Sequence, residues 1–165
     1  MRTLRPLSVG AVAAGIAVTL AACSSGSSSS SSTTTTQNPA QATAAITTSW
    51  TGFFDGGNPD SKAKLLLLQN NGKLTAVYNK AYATPLAAMT STKVTSVAVL
   101  PASQCQQAAV PSPCAKVSYD LINRQTGAPL LAGQTGYAVN LNGKWLVSQN
   151  TFCALIGLEG TQCPA

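Results

Sequence analysis

Histidine is absent from the 165 residues. That removes the commonest general base and the commonest metal ligand. Acid is nearly as scarce, with Asp55, Asp60, Asp120 and Glu159 the whole supply. Charged residues make up 8% of the chain, against the ~25% of an ordinary soluble domain. No Cys-x-x-Cys spacing occurs and no serine sits in a nucleophile motif, so neither dithiol redox chemistry nor a hydrolase signature is present. No metal and no cofactor are expected. An apolar run of the ~20 residues needed by a spanning helix is also missing. The formal charge is +6, but Arg2 and Arg5 stand at the very start. The other bases, from Lys62 to Lys144, are scattered singly and form no nucleic-acid stripe.

What is present begins with an address. Residues 1–6 hold two arginines and no acid, and 7–22 are apolar and small, the layout of an export signal. The run ends in Leu20-Ala21-Ala22-Cys23. A plain secretory cut wants a small residue where Leu20 stands, whereas a lipoprotein peptidase wants leucine there. Cys23 is therefore the expected lipidation site and the first residue of the mature chain. Plain secretion and an uncleaved anchor are the alternatives. Each buried methylene contributes about 0.8 kcal/mol, so two or three acyl chains, palmitate among them, hold a protein at a membrane. The expected location is the extracytoplasmic face of the cell membrane.

Three segments are set by composition: 1–22 as signal, 23–39 as tether, and 40–165 as one globular domain. The tether is serine broken by Gly26, then four threonines, and can bury nothing that would offset its ordering entropy. As a flexible coil it separates domain from lipid by roughly 20–25 Å. Its hydroxyls are candidate acceptors for O-linked sugar.

Periodicity starts beyond Ala40. Ile46, Trp50, Phe53 and Phe54 share a helical face, and Asp55-Gly56-Gly57 should end that helix through a glycine at positive φ. Asn58-Pro59-Asp60-Ser61 reads as a fresh helix start, with 65–68 as its buried continuation. A third helix over 73–83 places Leu74, Val77, Tyr78 and Ala81 on one side. After Pro85 the pattern turns to strands: 93–100, 115–124 with Val117, Tyr119 and Leu121 to one side, 130–141, and 144–149. Asn142-Gly143 is a strong two-residue hairpin signal that sets Leu141 against Lys144, Asn140 against Trp145, Val139 against Leu146 and Ala138 against Val147. Both faces of this hairpin are partly apolar. One must pack on the helices, and the other needs a cover: a partner, a ligand or the chain's own tail. A short helix over 151–158, capped by Asn150 or Thr151, closes an α+β domain in which helices pack on a curved antiparallel sheet.

With Cys23 carrying lipid, Cys105, Cys114, Cys153 and Cys163 remain, an even number for an oxidising compartment. Three pairings are possible. The favoured one is Cys105–Cys114 with Cys153–Cys163, because each closes a short loop, the first between two strands and the second holding the tail.

The opening helix from Ala45-Ile46-Thr47 to Phe53-Phe54-Asp55, the strand Val117-Ser118-Tyr119-Asp120-Leu121, and Asn142-Gly143-Lys144-Trp145-Leu146-Val147-Ser148 running into Thr151-Phe152-Cys153 carry a likeness. Over roughly 40–158 the chain resembles the carboxyl-terminal domain of the low-molecular-weight mycobacterial antigen family. The resemblance implies a nuclear-transport-factor-two-like, or cystatin-like, α+β fold and an exported protein, and supplies no active site. The lipid signal, the tether and the four cysteines point to a disulfide-stapled lipoprotein branch.

Three functions compete. The first is a non-catalytic binding or interaction domain at the envelope, taking an apolar ligand or a protein partner. Its pocket would be a cone between sheet and helices lined by Trp50, Phe53, Tyr78, Tyr82, Val139 and Trp145, unless these side chains simply fill the core. The second is a small enzyme of the same fold using an acid in the cone. Asp120 is the mid-strand acid, but alternation sets it on the polar face, where an ion pair with Lys116 or Arg124 is the expected role. The third is a structural protein that dimerises through the uncovered sheet face. The first is the reading carried forward.

Overall fold

A computed structural model describes residues 38–164. The signal, Cys23 and the tether up to residue 37 lie outside the described residues. Asn38 and Pro39, assigned by composition to the tether, belong to the first helix, α1 (Pro39–Phe53), as its cap and first residue. The Asn38 side chain accepts from the Ala40 N–H at 3.0 Å, and proline occupies the first turn, where no N–H is needed. The face of α1 that buries Ala42, Ile46, Trp50 and Phe53 is the one the spacing indicates.

The chain just beyond α1 departs from expectation. Neither Gly56 nor Gly57 takes a positive φ. Gly56 is required by proximity: its N–H donates to Thr90 O at 2.8 Å, and a Cβ there would overlap Ala87 O and stand 2.7 Å from Ala88 O and Thr90 O. Helix α2 (Ser61–Leu65), capped by Asp60, is a single turn and does not continue through 68. Leu66 is exposed, while Leu68 is buried and bridges in parallel to Val147. The reason lies in the sheet. Val147 N–H donates to Leu67 O, and Gln69 N–H to Val147 O, both at 2.9 Å, so a turn bridged at Leu68 occupies the β4 edge at Val147, which a continued helix would leave open.

Helix α3 (Asn71–Tyr82) buries Leu74 and Tyr78, with Val77 and Ala81 half-buried beside them. Helix α4 (Pro85–Met89) was not expected, yet it carries a helix-start signal: Thr84 caps the Ala87 N–H and Pro85 takes the first position. Four antiparallel strands then run in sequence order, β1 (Thr90–Leu100), β2 (Cys114–Asn123), β3 (Pro129–Leu141) and β4 (Lys144–Val147). Between β1 and β2 lies helix α5 (Ala102–Gln107), also unexpected, and α6 (Gln149–Gly157) closes the domain. Ser148, not Asn150 or Thr151, caps α6.

The Asn142-Gly143 turn has φ of 54° and 82°, both positive, as a primed two-residue turn demands. The register is the expected one: Leu141–Lys144, Asn140–Trp145, Val139–Leu146 and Ala138–Val147. Register shifts near Val94, Tyr119 and Leu121 curl the sheet. Its concave face presents Ala115, Val117, Tyr119, Leu121, Trp145 and Val147 to α1, α3 and α6. Among the described residues, β1 has no strand partner on its outer edge.

The opposite face carries a second, smaller core of Cys105, Val110, Cys114 and Val139, with Leu141 and Leu146 against it. The cover this face needed is the chain's own, but it is the segment between β1 and β2 rather than the tail. Cys105–Cys114 holds it, with Cα atoms 5.8 Å apart. Asn140 N–H donates to Pro113 O at 2.8 Å, and the Asn150 side-chain amide to Ala109 O at 3.0 Å. Cys105 is helical, so this disulfide joins a helix to a strand and not two strands. The second disulfide joins Cys153 to Cys163, as the short-loop argument favoured.

Candidate functional site

The aromatic residues of α1 and α3 pack edge-on and stacked against one another and against the sheet. Trp50 meets Tyr119 edge-on at 5.7 Å, Phe54 stacks on Tyr119 at 5.6 Å, and Tyr78 stacks on Tyr82 at 4.3 Å. Trp50, Tyr78 and Trp145 are buried in this core. The Trp50 Nε1 and the Tyr78 hydroxyl have no hydrogen-bond partner. Val139 belongs to the second core on the other side of the sheet. Of the six residues expected to line a pocket, Phe53 and Tyr82 border a cavity, and the other four are not part of its lining.

That cavity is a cleft of about 350 Å³ at one end of the sheet. Helices α3 and α4 form one wall through Ala81, Tyr82 and Leu86, and α6 forms the other through Phe152, Leu155 and Ile156. Thr90, Leu121, Leu130 and Leu131 make the sheet side, with Phe53 and Phe54 at the end of α1. Leu158 and Glu159 form a lip, and Glu159 is the one carboxylate of the lining. The adjacent leucines of β3 reach the same cleft because the register slips. Leu121 faces Leu131 and Ile122 faces Pro129, which leaves Leu130 as an extra residue on β3.

The polar groups of the lining are committed inward. Tyr82 OH donates to Phe53 O at 2.5 Å, and Thr90 Oγ1 to Leu86 O at 2.8 Å. Burial, and secondly the neighbouring Tyr78, holds the Tyr82 phenol well above its ordinary range. The buried Lys64 sets its ammonium 5.0 Å over the Tyr82 ring. Its pKa is lowered, first by burial and further by Arg124, against an opposing pull from Asp55.

Asp120 takes no part in the cleft. Its carboxylate accepts the Gly133 N–H at 2.7 Å, where Gly133 at φ 65° shapes the irregular stretch of β3, rather than pairing with Lys116 or Arg124. Among the described residues, no group of three His, Cys, Asp or Glu side chains could hold a metal ion, and no helix is long and apolar enough to cross a membrane.

Sequence reasoning missed Leu86, Leu130, Leu131, Phe152, Leu155 and Leu158. One signal was available. Adjacent Leu130 and Leu131 break strict strand alternation a few residues before Gly133, which marks a bulge that can turn both toward one side.

The described residues thus form an α+β domain with an apolar cleft at one end of its sheet. Residues 39–163 match the family described as low molecular weight antigen MTB12, C-terminal domain, and the chain belongs to that family. The match extends from the first residue of α1 to Cys163, so both disulfides fall within it. No curated protein matches the chain.

Proposed function

We propose that this is an exported, lipid-anchored envelope protein whose domain binds without catalysing, and that the cleft is where it takes up apolar matter. The cleft carries the reading: about 350 Å³ lies within the 300–1,000 Å³ typical of small-molecule sites. Side chains from four helices and three strands line it, nearly all of them hydrocarbon. Leu20-Ala21-Ala22-Cys23 supports the anchor, and a long first helix lying across a curled antiparallel sheet supports the nuclear-transport-factor-two-like reading of the fold. The engagement of Asp120 with Gly133 supports a non-catalytic role, since a general base needs its lone pairs toward a substrate.

The test of binding is thermal denaturation of the full chain with increasing 8-anilinonaphthalene-1-sulfonate. A saturable rise in Tm that Ala81→Trp abolishes by filling the cleft is expected, and an unchanged Tm overturns the reading. The test of anchoring is fractionation of cells expressing Cys23→Ser. The variant should leave the membrane fraction or persist as uncleaved precursor; a processed chain still in the membrane overturns it.

A further inference from the structure

The exposed apolar side chains of the domain are unevenly placed. Seven large hydrophobic residues are exposed among those described: Leu66, Leu86, Met89, Val99, Leu130, Leu131 and Leu158. Leu86, Leu130, Leu131 and Leu158 all border the one cleft, and Met89 lies one helical turn from Leu86 on α4. Leu158, on the lip, is 67% exposed. A site for a dissolved apolar molecule needs an apolar interior but gains nothing from an apolar rim, which costs solubility. A rim of this kind marks a surface that meets another apolar phase.

The interior narrows the ligand class. Its two hydroxyls, on Tyr82 and Thr90, both give their protons to backbone carbonyls inside the fold. No Lys or Arg lines the cleft, and its single charge is the Glu159 carboxylate at the lip. Phosphate and carboxylate headgroups therefore find no cation there, and a ligand with buried polar atoms would leave them unpaired, at a cost. A saturated hydrocarbon chain makes no such demand.

We infer that the cleft accepts one hydrocarbon chain of a membrane lipid directly from the bilayer, with the leucines of its rim seated on the membrane surface while the chain enters. This rests on the apolar-binding reading of the same cleft and adds the class of ligand and the phase it comes from. The headgroup stays outside, so the contact is indifferent to headgroup chemistry and selective for an accessible chain.

The experiment uses the full chain carrying Cys23→Ser, so that no lipid of its own competes. The donors are phosphatidylcholine vesicles containing pyrene-acyl phosphatidylcholine. Uptake of a chain converts excimer into monomer emission, and vesicle flotation reads seating separately. The expected result is a saturable loss of excimer. Ala81→Trp should reduce it at least tenfold with flotation kept, while Leu158→Asp and Leu86→Asp should lose both signals. Because Leu158 is mostly in solvent, its variant is expected to keep the parent's circular dichroism and Tm, which separates a rim effect from misfolding. Excimer loss that Ala81→Trp does not diminish, or flotation without any excimer loss, overturns the inference. If the anilinonaphthalene dye still raises Tm while no pyrene chain is taken up, the apolar-binding reading stands and this inference falls. If both signals are absent, both fall.

Discussion

Gly136 of β3 and Thr151 of α6 touch so closely that no methyl fits between them. A Cβ on Gly136 would overlap Thr151 Cγ2 and stand 2.8 Å from Oγ1. The neighbouring Tyr137 N–H donates to the same Oγ1 at 2.7 Å, and Ser148 Oγ lies 2.9 Å from it. Thr151 thus fixes the start of the last helix against β3, and the next residue, Phe152, is part of the cleft wall. Gly136→Ala should destabilise the domain by about 1–3 kcal/mol through overpacking. Adding Thr151→Ser, which removes the clashing methyl and keeps the hydroxyl, should recover part of that. Urea denaturation of the two single variants and the double variant measures the coupling.

Gly56 poses a different steric problem, because the obstacles are backbone carbonyls of α4 and β1 that cannot rotate away. Gly56→Ala is expected to cost more than about 3 kcal/mol, at the severe end for overpacking. Gly72 in the first turn of α3 has open space around its Cβ position, and Gly72→Ala should stabilise by up to about 1 kcal/mol through helix propensity. Thermal denaturation of the pair reads the contrast, with opposite shifts in Tm expected from the same chemical change.

The two disulfides should behave alike in stability and differently in what they expose. Each closes a loop near ten residues, with sequence separations of 9 and 10, which is on the order of 2–3 kcal/mol in the chain-entropy description. Replacing Cys105 and Cys114 by serine should loosen the cover over Val139 and raise the binding of an apolar dye. Replacing Cys153 and Cys163 should free the lip at Leu158 and Glu159, changing access to the cleft while Val139 stays covered. Dye fluorescence of each double-serine variant, with and without Ala81→Trp, separates the two surfaces.

Alkaline stability is governed by the buried phenols. Burial pushes Tyr119 up to about 12, against about 10 for a free tyrosine. A group whose folded pKa is raised contributes fully below its unfolded value and loses that contribution as pH climbs toward the folded one. Stability should therefore hold to about pH 10, then fall by roughly 1.4 kcal/mol per pH unit from Tyr119 until about pH 12. Tyr82 and Tyr78 are shifted in the same direction by burial, with secondary contributions from Tyr78 and Asp60 respectively. Denaturant midpoints between pH 9 and 12 test this, and Tyr119→Phe should make the decline shallower.

The parts of the fold legible in the sequence are those whose cause is local. Ile46, Trp50 and Phe53 fall on one face because helical periodicity is written in consecutive turns. Asn142-Gly143 sets a whole register because only those residue types accept two positive φ angles cheaply. Helices α4 and α5, of five and six residues, are too short to show a period. The departure at 66–68 has its cause in β4, some eighty residues away. The expected pocket mixed two sides of a sheet: Trp145 pairs with Asn140, the strand neighbour of Val139, so Trp145 and Val139 cannot face one cavity. Alternation already placed Val139 opposite Ala138, and Val139 duly lies under α5. The cleft was hidden for a further reason, since it depends on a register slip that brings Leu130 and Leu131 together and on the closure of α6 by Cys153–Cys163.

The sealing of β4 by the chain around Leu67 and Gln69 also governs how copies can add to one another. A strand open on both sides behaves like a bifunctional monomer and lets a sheet grow without end. Here one side is already terminated from within, by Leu67 O and Gln69 N–H on Val147, and only the β1 side remains without a strand partner among the described residues. The sheet is monofunctional: edge-to-edge joining stops at a pair. Copies of the domain are thereby kept from stringing into fibrils along their strands.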